Sequence, residues 1–250
     1  MDFDDTPEEA AFRTEARTWL QAHAPAKGGP DDFSTGFLEN TISAEEFNRR
    51  VKQWQELLVE HGWAGITWPK EFGGRGGTGM HSAIWGQEAS QYGVTVNNYA
   101  VGIGMAGPTI LRHGTDEQKA RYLRPMLRGD EVWCQLFSEP DAGSDLANIS
   151  TRAVRDGDEW VLNGQKVWTS GARFADWGLA ICRTDVDVPK HKGMTAFLVP
   201  FKAEGVDVRA IRQMSGGSNF NEVFLTDVRL PDDLRLGAVG DGWRVALTCL

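Results

Sequence analysis

The chain has 250 residues, 41% hydrophobic and 10% aromatic, enough for one large or two ordinary globular domains with a substantial core. A formal charge of -9 argues against a duplex nucleic-acid partner, which needs a basic surface to displace counterions from phosphates. The acidic start, Met1 to Glu9, lacks the basic and apolar regions of a secretory signal. No apolar run approaches the roughly 20 residues that a membrane helix needs. Cys134, Cys182 and Cys249 are odd in number and dispersed through apolar stretches, so neither a disulfide framework nor a metal knuckle is expected, and a reducing cytoplasm fits best.

The first half reads as helices. Thr6-Pro7-Glu8-Glu9 supplies an N-cap threonine, a proline at the first helical position and a capping-box glutamate, and Phe12, Ala16, Trp19 and Leu20 follow at helical spacing. Ser43 with Glu46 repeats the capping signal ahead of Val51, Trp54, Leu57 and Leu58, and His61-Gly62 ends that stripe. The glycine-rich run from Trp68 to Gly77 reads as a loop. Helices are expected over Ser82 to Tyr92 and Val101 to His113, and Thr115 with Gln118 caps a last one to Leu127. Together they predict an antiparallel helical bundle.

Beyond Val132 the pattern shortens to alternating, β-branched runs: Thr151 to Val154, Glu159 to Leu162, Leu179 to Arg183, Thr195 to Val199, Val206 to Ile211 and Glu222 to Leu225. Asp156-Gly157-Asp158 and Asn163-Gly164 read as turns between strands. The expected fold class is α+β: a helical domain over 1–130, an antiparallel β sandwich or barrel over 131–238, and the start of a further helical domain over 239–250. Trp243, Ala246, Leu247 and Leu250 begin that last helix, which the sequence leaves in its third turn. Its apolar face is expected to need more chain or a partner, so the 250 residues read as part of a longer enzyme.

Two stretches carry chemistry. In Gln135-Leu136-Phe137-Ser138-Glu139-Pro140-Asp141-Ala142-Gly143-Ser144-Asp145 an apolar strand gives way to hydroxyls, glycine and carboxylates, where exposed backbone N–H groups can approach an anionic or heteroaromatic ligand. Taken alone, this is also how an ordinary strand-to-loop exit looks. In Gly164-Gln165-Lys166-Val167-Trp168-Thr169-Ser170-Gly171 a tryptophan precedes two hydroxyl residues at a strand end, so a planar cofactor can lie against the indole. Taken alone, Trp168 reads as strand packing. The five histidines, His23, His61, His81, His113 and His191, show no HxxxH or HxH spacing, and no metal site is expected. The acidic clusters near Asp4, Asp31 and Asp232 read as solvated surface.

In sequence, spacing and order these stretches resemble the acyl-CoA dehydrogenase family. The resemblance extends through Trp68-Pro69-Lys70-Glu71-Phe72-Gly73-Gly74, His113-Gly114-Thr115-Asp116-Glu117-Gln118-Lys119, Met214-Ser215-Gly216-Gly217-Ser218, Asn221-Glu222-Val223-Phe224, Asp227-Val228-Arg229-Leu230-Pro231 and Gly242-Trp243. It implies FAD as cofactor and an acyl-CoA thioester as substrate, desaturated at Cα–Cβ to the trans-2-enoyl-CoA. It implies that Gln135, Phe137 and Ser138 border the flavin, with Gly143 in the same cofactor-binding turn. Ser144 is placed near the FAD pyrophosphate and the substrate, Trp168 against the isoalloxazine with Thr169 beside it, and Ser170 near N5. Departures stand at Phe137 and Ser138, where an aliphatic residue and a threonine are common, at Asn148 in place of a small residue, and at Gly216-Gly217-Ser218, which lacks an arginine.

The family's catalytic base is a glutamate in positions that this sequence does not include, so no catalytic residue is assigned, and Glu139 is expected to be a structural carboxylate bonded to backbone N–H groups. The resemblance further implies electron-transfer flavoprotein as acceptor and a dimer or tetramer. Two other classes fit the same residues: an acyl-CoA oxidase or related flavin monooxygenase, and a non-catalytic subunit that binds FAD or acyl-CoA.

Overall fold

The computed structural model describes residues 4–35 and 42–250. The first three residues of the acidic start lie outside it. Contacts group the chain into two compact units, Met1–Asn97 with Leu127–Gly129, and Asn98–Met126 with Asp130–Leu250. The change of secondary-structure type near residue 130 is a different boundary: most of the later helical residues cluster with the sheet. The observed class is the expected one, a helical N-terminal region followed by a mostly antiparallel β-sheet.

In the first unit, α1 (Pro7–His23) starts on the Thr6–Glu9 capping box, and α2 (Ala44–Glu60) starts on Ser43, whose hydroxyl accepts from the Glu46 N–H. The second cap is only half a box, because the Glu46 carboxylate turns to Arg49 and Arg50 instead. Helix α3 runs over Gly79–Ala89, three residues earlier than the pattern predicts. Its cap is Thr78, and the reciprocal partner is the His81 ring in place of a Glu or Gln. The glycine-rich loop contains a single 3₁₀ turn at Lys70–Phe72 and is tightly packed: a Cβ on Gly74 would lie 2.1 Å from the Trp68 carbonyl oxygen.

In the second unit the expected helix over Val101 to His113 is divided into α4 (Asn97–Val101), a π segment (Gly102–Ala106) and α5 (Gly107–His113). Pro108 has no N–H to give to the carbonyl a turn earlier, and the glycines at 102, 104 and 107 tolerate the wider turn. Helix α6 (Asp116–Leu127) starts on a reciprocal cap between Thr115 and Gln118. The strands are β1 (Trp133–Leu136), β2 (Arg152–Asp156), β3 (Glu159–Ser170), β4 (Trp177–Arg183), β5 (Met194–Pro200), β6 (Val206–Ile211), β7 (Phe220–Pro231) and β8 (Arg235–Leu236), followed by α7 (Gly242–Cys249).

The strand order is β6-β7-β3-β2-β4-β5-β8, with β1 also on β4. Among the described residues only the pairings of β1 and β2 with β4 are parallel. A single pair, Arg152↔Arg183, joins the two halves of the sheet. They close over a shared core of Leu136, Trp160, Leu162, Phe197, Val223 and Val228, in which the Trp160 and Phe197 rings meet edge to face at 5.4 Å.

Asp156 and Glu159 pair around a two-residue loop, as the sequence predicts. Asn163-Gly164 is not a turn. β3 continues through it, and the irregularity belongs to the partner strand: between the pairs Leu162↔Val228 and Gly164↔Leu225, β7 carries one extra residue. Asp227 adopts φ 51° there, and the Asn163 amide both donates to its carboxylate and accepts its N–H. Gly164 is required by close approach, since a Cβ would lie 2.4 Å from the Thr151 hydroxyl. Among the described residues no helix is long and apolar enough to cross a membrane.

Candidate functional site

The two chemistry-bearing stretches meet where β1 ends. Ser138 follows that strand, and its carbonyl accepts the Val167 N–H at 2.9 Å. Glu139 then turns the chain back through Pro140 and Asp141, exchanging backbone hydrogen bonds with Ala142 at 2.8 and 3.1 Å. Gly143 and Ser144 are exposed at the far side of this turn, and no heavy atom would lie within 4 Å of a Cβ at Gly143. Their backbone is open to a ligand.

On β3 the pairs Lys166↔Val223 and Thr169↔Asn221 enclose one residue too many, so the strand bulges at Trp168. The bulge breaks the alternation of faces. Lys166, Val167 and Thr169 are buried, while Trp168 stands 60% exposed, its ring nearly perpendicular to that of Phe220 at 6.2 Å. Trp168 also sits at φ 59°, in the left-handed region that costs a bulky side chain about 1–2 kcal/mol. Its reading as core packing is overturned: the extra residue rotates the indole out of the sheet.

Thr169, 2% exposed, has no hydrogen-bond partner for its hydroxyl. Its carbonyl accepts from the Asn221 amide at 3.0 Å, and the Asn221 Oδ1 is likewise buried without a partner. Ser170 is exposed at the strand end. The exposed indole of Trp168 with the exposed Ser170 hydroxyl beside it fits a planar ligand with a polar edge, as FAD has, while the Thr169 hydroxyl lies beneath the bulge out of a ligand's reach. Phe137 is buried and Ser138 half-buried, while Gln135 reaches toward α7, its amide 3.5 Å from the Cys249 sulfur.

Glu139 has the structural role expected of it. One carboxylate oxygen accepts the Ser150 N–H at 2.6 Å and its hydroxyl at 2.9 Å, and both oxygens are reached by the Thr151 N–H. The other takes Lys166 Nζ at 2.8 Å. Burial works to raise its pKa, but the charge and hydrogen bond of Lys166, together with the Thr151 and Ser150 bonds, outweigh it and hold the group at about 2. Lys166 itself is fully buried, a role that the sequence does not announce, because its partners lie 15 to 29 residues away. Burial pushes the thiols of Cys134 and Cys182 upward, which makes them neutral core residues. Among the described residues no three His, Cys, Asp or Glu side chains converge as metal ligands.

Residues 6–130 match the model for the acyl-CoA dehydrogenase N-terminal domain and residues 134–228 that for the middle domain. Over 196 residues the chain is 47% identical to the acyl-CoA dehydrogenase FadE34 of Mycobacterium tuberculosis, covering 78% of this chain and 27% of that one. It is 38% identical over 246 residues to IpdE1 of the same organism, covering 96% and 61%. Among solved structures, the Tcur3481-Tcur3483 steroid ACAD superposes with a TM-score of 0.83 at 35% identity, over 100% of this chain and 62% of that one. The ChsE4-ChsE5 complex from Mycobacterium tuberculosis does so with 0.81 at 34%, over 99% and 60%. The chain thus spans between about a quarter and three fifths of these relatives. With both domain models matched in order across most of its length, the chain belongs to the acyl-CoA dehydrogenase family.

Proposed function

We propose that this chain forms the flavin-facing and thioester-facing surface of an FAD-dependent dehydrogenase that converts an acyl-CoA to its trans-2-enoyl-CoA. Bound FAD supplies a two-electron acceptor for the hydride that leaves Cβ. The chain's own part is to bind and orient. Trp168 offers a flat apolar wall and the exposed Ser170 hydroxyl a polar partner at its edge, with buried Thr169 between them fixing the strand. Gln135, Phe137 and Ser138 border the same site, and the open backbone at Gly143 and Ser144 suits an anionic group, with Ser144 also toward the substrate. Glu139, with both oxygens occupied, is assigned to holding the loop and not to proton removal. The observation that carries this reading is the strained, exposed indole beside the exposed Ser170 hydroxyl.

The likeness to a steroid ACAD and to a two-protein complex supports two finer proposals: a bulky, steroid-derived acyl group, and function within a dimer or larger assembly. Electron-transfer flavoprotein is the proposed acceptor. The three free, buried thiols suit a cytoplasmic setting.

The test is to mix the purified chain with FAD, remove the excess, and record the visible spectrum, tryptophan fluorescence and oligomeric mass. Retained flavin with a structured band and quenched fluorescence is the expected result. Trp168→Ala should weaken retention by about tenfold, the upper range for one aromatic contact. A folded chain that keeps no flavin at any concentration, or a variant that keeps as much as the parent, overturns the assignment. Rapid reoxidation of the photoreduced flavin by air would favour an oxidase over a dehydrogenase.

A further inference from the structure

The pairing of β1 with β4 ends at Leu136↔Ala180. Lys166 Nζ sits beyond that last pair and takes the carbonyl of the next residue on each strand, Phe137 at 3.1 Å and Ile181 at 2.8 Å. Its third hydrogen bond goes to Glu139 Oε1 at 2.8 Å. All three donors of the ammonium are used, on three different segments.

Glu139 makes a second closure. It begins the loop that carries Gly143 and Ser144, and its carboxylate binds the N–H groups of Ser150 and Thr151, where that loop ends. Arg183 finishes the fastening from β4: its guanidinium donates to the carbonyls of Ala147 at 2.6 Å and Ile149 at 3.2 Å, and also to Lys190, while its N–H reaches the Thr151 carbonyl at 2.7 Å. Lys166 lies two residues before Trp168, and the intervening Val167 N–H is the one that bonds Ser138.

We propose that Lys166 and Glu139 are a buried positioning pair, which sets the Trp168 bulge in register with the Ser138–Ser144 turn so that the two present one binding surface. The proposal rests on the cofactor reading above only for what the surface binds. The coupling itself is a property of the chain without ligand. A buried ion pair is a weak source of net stability, because desolvation cancels much of the attraction, so stability alone does not explain an ammonium at zero exposure. What the pair provides, and an apolar pair of the same volume would not, is three fixed hydrogen-bond directions across strands that are otherwise parting.

The experiment compares the 250-residue chain with Lys166→Met, Glu139→Gln and the double variant. Three readouts are used: thermal midpoint, amide hydrogen exchange at Val167, Ser150 and Thr151 without FAD, and the FAD dissociation constant. Lys166→Met strands a buried carboxylate and should lower the midpoint most, and the double variant should regain much of it. The exchange rate at Val167 should stay raised by about tenfold or more in the double variant, and its FAD affinity should stay down by a similar factor. Ser150 and Thr151, which the side-chain carbonyl left by Glu139→Gln can still hold, serve as controls. If the double variant regains parental exchange along with its midpoint, the pair is only a stability device and the proposal fails. Should Lys166→Met not fold, Glu139→Gln, which keeps the shape of its side chain, decides by the same exchange rates. If the parent binds no FAD, the cofactor reading falls, while exchange in the ligand-free chain still decides the coupling.

Discussion

β3 and β7 share a ladder with two irregularities, and the two are built differently. At Asn163 the extra residue is Asp227 on β7, a residue type that tolerates φ 51° and here has a reciprocal amide partner. At Trp168 the extra residue is a large aromatic at φ 59°, without compensation from its own side chain, next to a buried hydroxyl that bonds to nothing. The first satisfies itself. The second leaves strain and apolar surface uncompensated in one place, which is the ground for proposing that it faces a ligand while the first only shapes the sheet.

The largest expected effect concerns what holds the second bulge. Glu139 titrates at about 2 instead of the ordinary 4.5. A carboxylate whose folded pKa is depressed adds stability that is complete above the unfolded value and lost as pH falls toward the folded one. Between pH 4.5 and about 2, Glu139 should therefore cost the chain about 2–3 kcal/mol. Glu46 and Asp232 are depressed as well, so the parent's acid profile is a composite. The difference in urea midpoint between parent and Glu139→Gln isolates the one group: it should be large at pH 6 and shrink through this window. A constant difference would detach Glu139 from the acid response and leave the Trp168 bulge without its proposed anchor.

The first bulge gives a smaller number. Asn163→Ala removes both exchanged hydrogen bonds at an exposed site, for which a loss of about 1 kcal/mol is expected, with no change in FAD retention. Chemical denaturation beside the flavin spectrum checks both parts. A variant that released FAD would erase the distinction between the two bulges.

What the sequence reveals follows the range of the interactions. The caps at Thr6 and Thr115 are legible because donor and acceptor lie three residues apart, and the Thr78 cap is missed because a histidine ring replaces the usual carboxylate or amide. Asn163-Gly164 carries a turn signature, yet its function depends on Asp227, 64 residues away. The composition of the two site stretches was readable, as was their order. Their contact through Val167 and Ser138 was not, and neither was the burial of Lys166, since each depends on strands brought together only by the fold. Trp168 is the sharpest case: alternation along β3 gives no means of locating an extra residue, so an indole at a strand end looks the same in either orientation.

The smallest expected change in stability is the most discriminating. Trp168→Gly exchanges an aromatic residue for the one type that occupies φ 59° freely, which relieves about 1–2 kcal/mol of strain. Against that stand the added entropy of glycine in the unfolded chain, near 1 kcal/mol, and the loss of a loose edge contact with Phe220. The folded chain should therefore move by less than about 1 kcal/mol in either direction. An indole packed for stability would instead cost about 3 kcal/mol or more on truncation. A thermal midpoint within a few degrees of the parent, together with lost flavin retention, would mean that the chain keeps this tryptophan in an unfavourable conformation for what it touches outside the fold. A large drop in midpoint would make the second bulge structural, like the first.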